Sequence, residues 1–320
     1  MKRAWLVGLL ALSIGSTYAV AGSVVCWGHG PRGATHSPDG SDFVAIAGGD
    51  YWSMALREDG SIEAWGWNED GQCEVPSEYT FRAIAAGWYH GLALQDGGSI
   101  VSWGGNSHGV VSDTPGGTGY RAIAAGGYHS LAIAANGSLV AWGRNDGQCD
   151  VPAGDDFVAI DGGYYHSIAL RSDGSVASWG DNGFGQVTNA PTGTGFLAVA
   201  SGERHCLALR SDGSILAWGW DEYGIIDAPT GNDFIAIDAG SFHSLALREN
   251  GTIVSWGFDS AGDVVINTPT EGGFYAIAGG GTHSIALQAP DYIIPEPLSV
   301  FSGLIGLGMV GAYVRRRRSR

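Results

Sequence analysis

Six histidines recur at a near-constant interval: His90, His129, His166, His205, His243 and His283. Serine follows four of them, while Gly91 and Cys206 stand in that place after His90 and His205. An imidazole beside a hydroxyl is the raw material of a nucleophile and its base, and several imidazoles together are the raw material of a metal centre. The pattern argues against both chemistries. A residue type copied into every repeat performs the same packing and hydrogen-bonding job in each copy. Equivalent side chains in neighbouring copies also stand beyond a shared coordination sphere. The sequence has no Gly-x-Ser-x-Gly elbow, no His-Glu-x-x-His and no phosphate loop. An active site should be a singular polar cluster, and none is visible, so the chain is expected to be no enzyme, with no catalytic residues, no metal and no cofactor. Acidic loop residues such as Asn68-Glu69-Asp70, Asp181-Asn182 and Asp221-Glu222 lack the regular ligand spacing of a calcium loop and are read as solvated charge. Cys73 and Cys149 hold equivalent places in non-adjacent copies, too far apart for a disulfide. Cys26 and Cys206 lie in strand-like runs and are expected as small buried hydrophobes.

The elements that position these residues repeat with them. Trp-Gly pairs begin at Trp27, Trp65, Trp103, Trp142, Trp179, Trp218 and Trp256, at steps of 38, 38, 39, 37, 39 and 38 residues. Trp52 stands where the first histidine would. Each copy holds an apolar run such as FVAIDGG, two variable residues, a run such as HSIAL, a turn, and a third run ending in Trp-Gly. The turns are Asp59-Gly60, Asp96-Gly97, Asn136-Gly137, Asp173-Gly174, Asp212-Gly213 and Asn250-Gly251. Asp-Gly or Asn-Gly between strand-like runs is the strongest short hairpin signal. A loop of roughly fifteen residues follows each Trp-Gly, usually with a proline, and a short fourth strand is expected there. Repeats of this length in strand-like sequence predict an all-β, seven-bladed β-propeller. The first copy begins mid-motif at Gly22 and the last stops after His283-Ser284-Ile285-Ala286-Leu287. Pairing these two ends completes one blade and removes two exposed sheet edges.

The pattern resembles the regulator of chromosome condensation repeat family, in its bacterial secreted form, over about residues 22–290. The residues that carry the resemblance are Gly163-x-x-His166-Ser167, Ala169-Leu170, Asp173-Gly174 and Trp179-Gly180. The resemblance implies a seven-bladed propeller. Trp52 for His, Gly91 for Ser and Cys206 for Ser depart from the motif and are expected to weaken individual hydrogen bonds.

The chain carries 32 acidic and 16 basic residues, and seven of the basic ones sit at its two ends. The central body therefore has nine basic residues against 31 acidic ones, and it contains no lysine. Such a charge repels nucleic acid and anionic headgroups, so no nucleic-acid partner is expected. Lys2 and Arg3, the apolar run Ala4 to Ile14, and Ala19-Val20-Ala21 read as a signal peptide over residues 1–21, cut by signal peptidase before Gly22. Residues 22–294 would form the propeller. Over residues 295–320, Pro295-Glu296-Pro297, an apolar stretch Leu298 to Val314 and Arg315 to Arg318 resemble a PEP-CTERM sorting tail. That resemblance implies a Gram-negative bacterium, transient membrane insertion of the tail as a transmembrane helix, removal by an exosortase, and delivery to the cell surface or extracellular polysaccharide matrix. A permanent C-terminal anchor is the alternative.

The two residues before each histidine vary on a constant frame: Asp50-Tyr51, Trp88-Tyr89, Gly127-Tyr128, Tyr164-Tyr165, Glu203-Arg204, Ser241-Phe242 and Gly281-Thr282. They should lie in loops on one face of the disc. Variation on a rigid scaffold suits recognition, and Tyr, Trp and Arg are the usual interface anchors. Tyr51, Trp88, Tyr89, Tyr128, Tyr164, Tyr165, Arg204 and Phe242 are the candidate binding residues. The expected function is an exported, non-enzymatic module that binds a protein or polysaccharide at the envelope. Family resemblance offers a secreted β-lactamase-inhibitor type as the alternative. A guanine-nucleotide exchange factor is the less favoured analogy, because fold alone does not carry function.

Overall fold

In the computed structural model, residues 21–258 and 264–290 are described. The expected signal peptide and sorting tail lie outside the described residues. Among those residues, no helix is long and apolar enough to cross a membrane. The strands form seven three-stranded antiparallel sheets. The first runs through Phe43–Gly48, Trp52–Arg57 and Ile62–Gly66, and five more of the same form follow in chain order. The seventh takes Phe274–Gly279 and His283–Gln288 from the end of the chain and its outer strand, Ser23–Gly28, from the beginning. Val25 faces Ala286 and Trp27 faces Ser284 in that pairing, as ring closure requires. Successive inner strands pack side by side, and the last packs on the first. A two-way bridge between Gly22 and Phe43 ties the closing blade to the first.

Each middle strand is buried along five consecutive residues, because a neighbouring blade covers each of its faces. This is why HSIAL-type runs carry no polar alternation. Every inner strand has a bulge just after its aromatic residue. A bulge adds twist and re-aims one side chain. Here it points outward to the next blade: Arg82 Nη2 donates to the Tyr120 carbonyl at 2.9 Å, Arg121 to that of Phe157, and Tyr275 Oη to that of Phe43.

The histidines form a ring of blade-to-blade ties. The Nε2 atoms of His90, His129, His205, His243 and His283 lie 2.7–2.9 Å from the hydroxyls of Ser130, Ser167, Ser244, Ser284 and Ser53 in the next blade. His166 meets Cys206 Sγ at 3.1 Å. Ser167 donates its own proton to the Gln148 carbonyl, and Ser244 donates its proton to that of Ile225. A hydroxyl has one proton, so at these ties Nε2–H of the histidine is the donor and the ring is the neutral Nε2–H tautomer. Trp52 and Gly91 depart from the motif at one and the same blade interface. The indole of Trp52 replaces the imidazole and donates to the Gly87 and Trp88 carbonyls, both at 3.1 Å. The departure exchanges one tie for another.

The glycine three residues before each histidine seats its imidazole. A Cβ on Gly163 would stand 2.1 Å from His166 Cε1 and 2.7 Å from the Gly202 carbonyl oxygen. Gly163→Ala should therefore cost about 1–3 kcal/mol, the usual penalty of overpacking, seen as a lower midpoint in urea unfolding. An unchanged midpoint would remove this role.

The structure corrects three expectations. No fourth strand forms after Trp-Gly among the described residues. The loop instead plugs the next blade: the indole Nε1 of each Trp-Gly tryptophan donates at 2.7–3.1 Å to a carbonyl in the preceding loop, from Ala34, Gln72, Val110, Gln148, Gln186, Ile225 or Val264. A fourth strand would turn those carbonyls toward the sheet. In the second blade the turn glycine is Gly98 (φ 78°), and Gly97 takes the place that aspartate or asparagine holds in the other hairpins. Cys26 is only half-buried, whereas Cys206 is fully buried, and all four cysteines are free.

The missing lysines also find an explanation. Arg57, Arg171 and Arg248 stack on Phe43, Phe157 and Phe234 while pairing with Asp42, Asp156 and Asp233. Arg32, Arg144 and Arg204 lie over aromatic rings on the other side of the disc. Together with Arg82, whose Nε and Nη2 reach the Gln95 and Tyr120 carbonyls, seven of the body's nine basic residues make planar or forked contacts, for which a guanidinium is better shaped than an ammonium.

Candidate functional site

The turns that precede the histidines crowd one face of the disc. They are joined to one another by backbone hydrogen bonds: Tyr164 N to Glu203 O, Glu203 N to Ser241 O, Ser241 N to Gly280 O, and Gly281 N to Gly49 O. The two variable residues then diverge. The first is buried in three of the seven turns: Asp50, Glu203 and Ser241 have 7–8% of their surface exposed. The second stands on the face, and Tyr51, Tyr89, Tyr128, Tyr165, Arg204 and Phe242 are each half-buried.

Six of the eight candidate residues form one arc of rings over the first four blades. Tyr89 and Tyr128 are 5.8 Å apart, Tyr128 and Tyr164 5.6 Å, and Tyr164 and Tyr165 3.9 Å. Trp88 of the second blade lies 4.1 Å from Tyr164 of the fourth. Gly127 of the blade between makes this meeting possible, because a Cβ there would strike the Tyr164 ring at 2.4 Å. Tyr51 joins through Trp67, at 6.0 Å on one side and 5.4 Å from Trp67 to Tyr89 on the other. Arg204 and Phe242 belong to a second arc, with Phe184, Trp220, Tyr223 and Phe258. Tyr223 is 58% exposed and Phe184 39%, the most open rings of this face.

Sequence reasoning missed Trp67, Trp220 and Phe258. Each directly follows a Trp-Gly pair, and that position was the available signal. It also missed Phe184 and Tyr223, in loops read as solvated charge. The asparagines of those loops shape the backbone: Asn68 Oδ1 accepts from Cys73 N, and Asn182 Oδ1 accepts from Val187 N and Thr188 N. A cleft of about 370 Å³ opens beside the first arc, lined by His29, Pro31, Arg32, Tyr51, Trp67 and Thr282. Among the described residues, no group of three His, Cys, Asp or Glu is placed to hold a metal ion.

The buried carboxylates of these turns are perturbed. Burial, with a contribution from the Glu203 charge, pushes the Asp50 carboxyl up to about 7. Burial raises Glu203 as well, against the pull of Arg204, whose Nε lies 3.1 Å from its carboxylate. Tyr51 is raised first by the Asp50 charge.

A closed seven-bladed propeller with an aromatic loop face is a ligand-binding scaffold. The regulator of chromosome condensation (RCC1) repeat matches six segments, 43–72, 81–110, 120–148, 157–186, 196–225 and 234–263, together more than half of the sequence, and the chain belongs to that family. The closing blade lies outside these matches because its repeat is split between the two ends. Among solved structures, the chain is similar to Prp20p of Saccharomyces cerevisiae, with TM-score 0.71 and 20% identity over 85% of this chain and 92% of that one. Human WBSCR16 gives TM-score 0.70 and 16% identity over 85% and 100%. The ectodomain of the Physcomitrella patens receptor kinase CR4 gives 0.64 and 19% over 85% and 73%. These identities speak for the fold. No curated protein matches the sequence.

Proposed function

We propose that the chain is an exported, non-enzymatic propeller that binds a protein partner at the bacterial envelope through the aromatic face. The observation that carries this reading is the unbroken run of rings from Tyr51 through Trp67, Tyr89, Trp88, Tyr128 and Tyr164 to Tyr165. The rings meet edge-on or tilted, and arginines lie on Trp67 and Tyr165 at 4.7 Å. Such Trp, Tyr and Arg clusters in partly desolvated surroundings are where protein interfaces concentrate their binding energy. A glycan platform instead favours flat, open rings for stacking. Prp20p is described with binding to Gsp1p and histones, which is a precedent for a protein ligand on this scaffold. The end segments of the sequence, read as export and sorting signals, support the envelope address.

The test is capture from the organism's envelope fraction with the intact chain, followed by titration of the captured protein. Trp88→Ala and Tyr165→Ala should each weaken binding about tenfold or more, as truncation of an interface anchor does, without changing the far-ultraviolet spectrum. Binding unaffected by both variants would remove the aromatic face from the interface. Saturable binding to a glycan array would replace the protein by a polysaccharide.

A further inference from the structure

The cleft of about 370 Å³ lies on the seam where the ring closes. His29, Pro31, Arg32 and Thr282 come from the closing blade, and Tyr51 and Trp67 come from the first. Hydrogen bonds fix both walls: His29 N donates to the Thr282 carbonyl at 2.9 Å, Thr282 Oγ1 to that of His29 at 3.1 Å, and Trp67 N to that of Tyr51 at 2.9 Å. Next to Thr282, Gly281 N reaches the Gly49 carbonyl at 2.9 Å and ties the two blades together. The walls are thus set before any ligand arrives. A cavity of about 150 Å³ is enough for benzene, so this one has room for a side chain together with its backbone group.

The cleft is an exception in charge. The body carries 31 acidic residues against nine basic ones, yet a guanidinium and an imidazole line this cleft and no carboxylate does. Arg32 stands directly before its loop glycine, where later loops carry Asp70, His108, Phe184 and Tyr223. Its left-handed backbone (φ 61°) is the loop's own, because His108 and Tyr223 share it. The guanidinium is particular to this copy. It lies over the Trp67 ring at 4.7 Å, and its Nη1 donates to Glu69 Oε1. Glu69 takes one nitrogen of a fork with five N–H donors. The side chains of Arg32 and Glu69 are 51% and 67% exposed, and pairs that open to water are weakly held. Glu69 therefore shows what the guanidinium accepts at this place without closing the place to others.

We propose that the cleft receives the C-terminal residue of the protein partner, with its carboxylate on Arg32 and an apolar side chain against Tyr51 and Trp67. This rests on the protein-binding reading of the same face. Charge complementarity selects the carboxylate, since a guanidinium fork matches two carboxylate oxygens and Glu69 is the chain's own stand-in for them. The rings select the apolar group. Tyr51 and Trp67 stand 6.0 Å apart at 56° to one another, an angled wall rather than a flat platform. A chain end carries a carboxylate and an apolar side chain on one Cα, so both enter the cleft together. A glutamate or aspartate side chain brings the charge but only one or two methylenes for the rings. Capture of a terminal carboxylate is a recurring mode of peptide recognition. Glu69 gives way to the incoming carboxylate, so it acts as a weak internal competitor.

The experiment needs no partner. The intact chain is titrated with N-acetyl-L-phenylalanine, followed by tryptophan fluorescence and calorimetry. Three comparison arms separate the parts: N-acetyl-L-phenylalaninamide lacks the carboxylate, sodium acetate lacks the ring, and N-acetyl-L-glutamate α-amide carries its carboxylate on the side chain. The expected result is a saturable response to N-acetyl-L-phenylalanine, about tenfold or more tighter than to any of the three, as a charged hydrogen bond requires. It weakens about tenfold or more in Arg32→Gln and in Trp67→Ala, as loss of an anchor does. It strengthens about two- to fivefold in Glu69→Gln, the worth of an exposed ion pair. It is unchanged in Arg210→Gln, which removes the same charge from an exposed place beside a hairpin turn. The Arg32 side chain is half exposed, so Arg32→Gln should keep the melting temperature of the parent chain. Arg32→Lys, with the charge but not the fork, should weaken binding less than Arg32→Gln. No saturable response, or an undiminished one in Arg32→Gln, would overturn the proposal. An equal response to the amide would overturn it too, because the cleft would then take any apolar group. An equal response to the glutamate compound would replace the chain end by an acidic side chain. Failure here, with loss of partner capture in Trp88→Ala, would leave the aromatic face standing without the cleft. A response here, with capture unchanged in Trp88→Ala and Tyr165→Ala, would leave the cleft standing alone.

Discussion

Lowering the pH from 7 toward 4 is expected to unfold the propeller cooperatively, with uptake of several protons by histidine. His90, His129, His166, His205, His243 and His283 are 0–1% exposed, and burial holds each of them well below 6.5, to about 3 or 4. At His129 and His205, Nε2–H already serves the neighbouring blade. Nδ1 of His129, His166, His205 and His283 has no partner, so an imidazolium there would place a second N–H against nothing. Below pH 6.5 the unfolded chain binds protons that the folded chain refuses, so stability falls as pH falls through that window. Each pKa unit is worth about 1.4 kcal/mol. One histidine lowered from 6.5 to about 4 thus contributes about 3 kcal/mol of acid lability, and six together exceed the roughly 5–15 kcal/mol that holds a typical domain. The transition should therefore come before all six are protonated.

The raised carboxyls, Glu203 among them, act in the opposite direction. Burial raises Asp50 to about 7, Asp161 to about 8 and Asp238 to about 6. Asp161 Oδ2 accepts from Ser201 N and Asp238 Oδ2 from Gly279 N, each across to the next blade, but these bonds do not offset the loss of water. A raised carboxyl binds its proton more tightly when folded, so its contribution is present at low pH and is lost as pH rises from about 4 through the folded value. The slope of six histidines outweighs that of the raised carboxyls below 6.5, and above it only the carboxyls remain. Urea unfolding measured at half-unit steps should give a maximum between about pH 6 and 7, a steep fall below and a shallow fall above. A flat profile between pH 6.5 and 4.5 would contradict the neutral-histidine ring.

Deletion of residues 22–28 should do comparable damage by a different route. It removes the outer strand of the closing blade, including Trp27 (6% exposed), the bond from Trp27 Nε1 to the Val264 carbonyl and the bridge from Gly22 to Phe43. The strand His283–Gln288, built to be buried on both faces, becomes an open edge. Exposed edges of that kind recruit other chains. The expected outcome is a melting temperature lower by about 10 °C or more, equivalent to several kcal/mol for a domain of this size, with soluble oligomers on gel filtration. The peptide Gly22–Gly30 added in trans should restore part of the loss. A monomer with an unchanged melting temperature would mean that the ring does not depend on its own two ends for closure.

The repeat was legible because its residues are placed by short-range rules. Asp59-Gly60 bends a hairpin wherever it occurs, and Ser61 N bonding to Asp59 Oδ1 shows how. The split closing blade was legible because half a motif at Cys26-Trp27 and the other half at His283-Ser284 have only each other as partners. The candidate rings were legible as variable positions on a constant frame. Their arrangement was not, since Asp50 and Tyr51 are neighbours in sequence but the first is buried and the second stands half-buried among the rings.

By itself, the sequence determined the period, the three apolar runs that become strands in each blade though not the absence of a fourth, the histidine and tryptophan framework, and the acidic, lysine-free character of the body. These follow from local turn chemistry and from apolar runs that recur every 37 to 39 residues. Tertiary structure alone decided that Trp52 and Gly91 share one interface, that the loop after Trp-Gly plugs the next blade, that the rings divide into two arcs, and that Trp88 of the second blade meets Tyr164 of the fourth. Each of these depends on which blades face one another once the circle closes, and contacts across the ring leave no periodic trace in the chain that makes them.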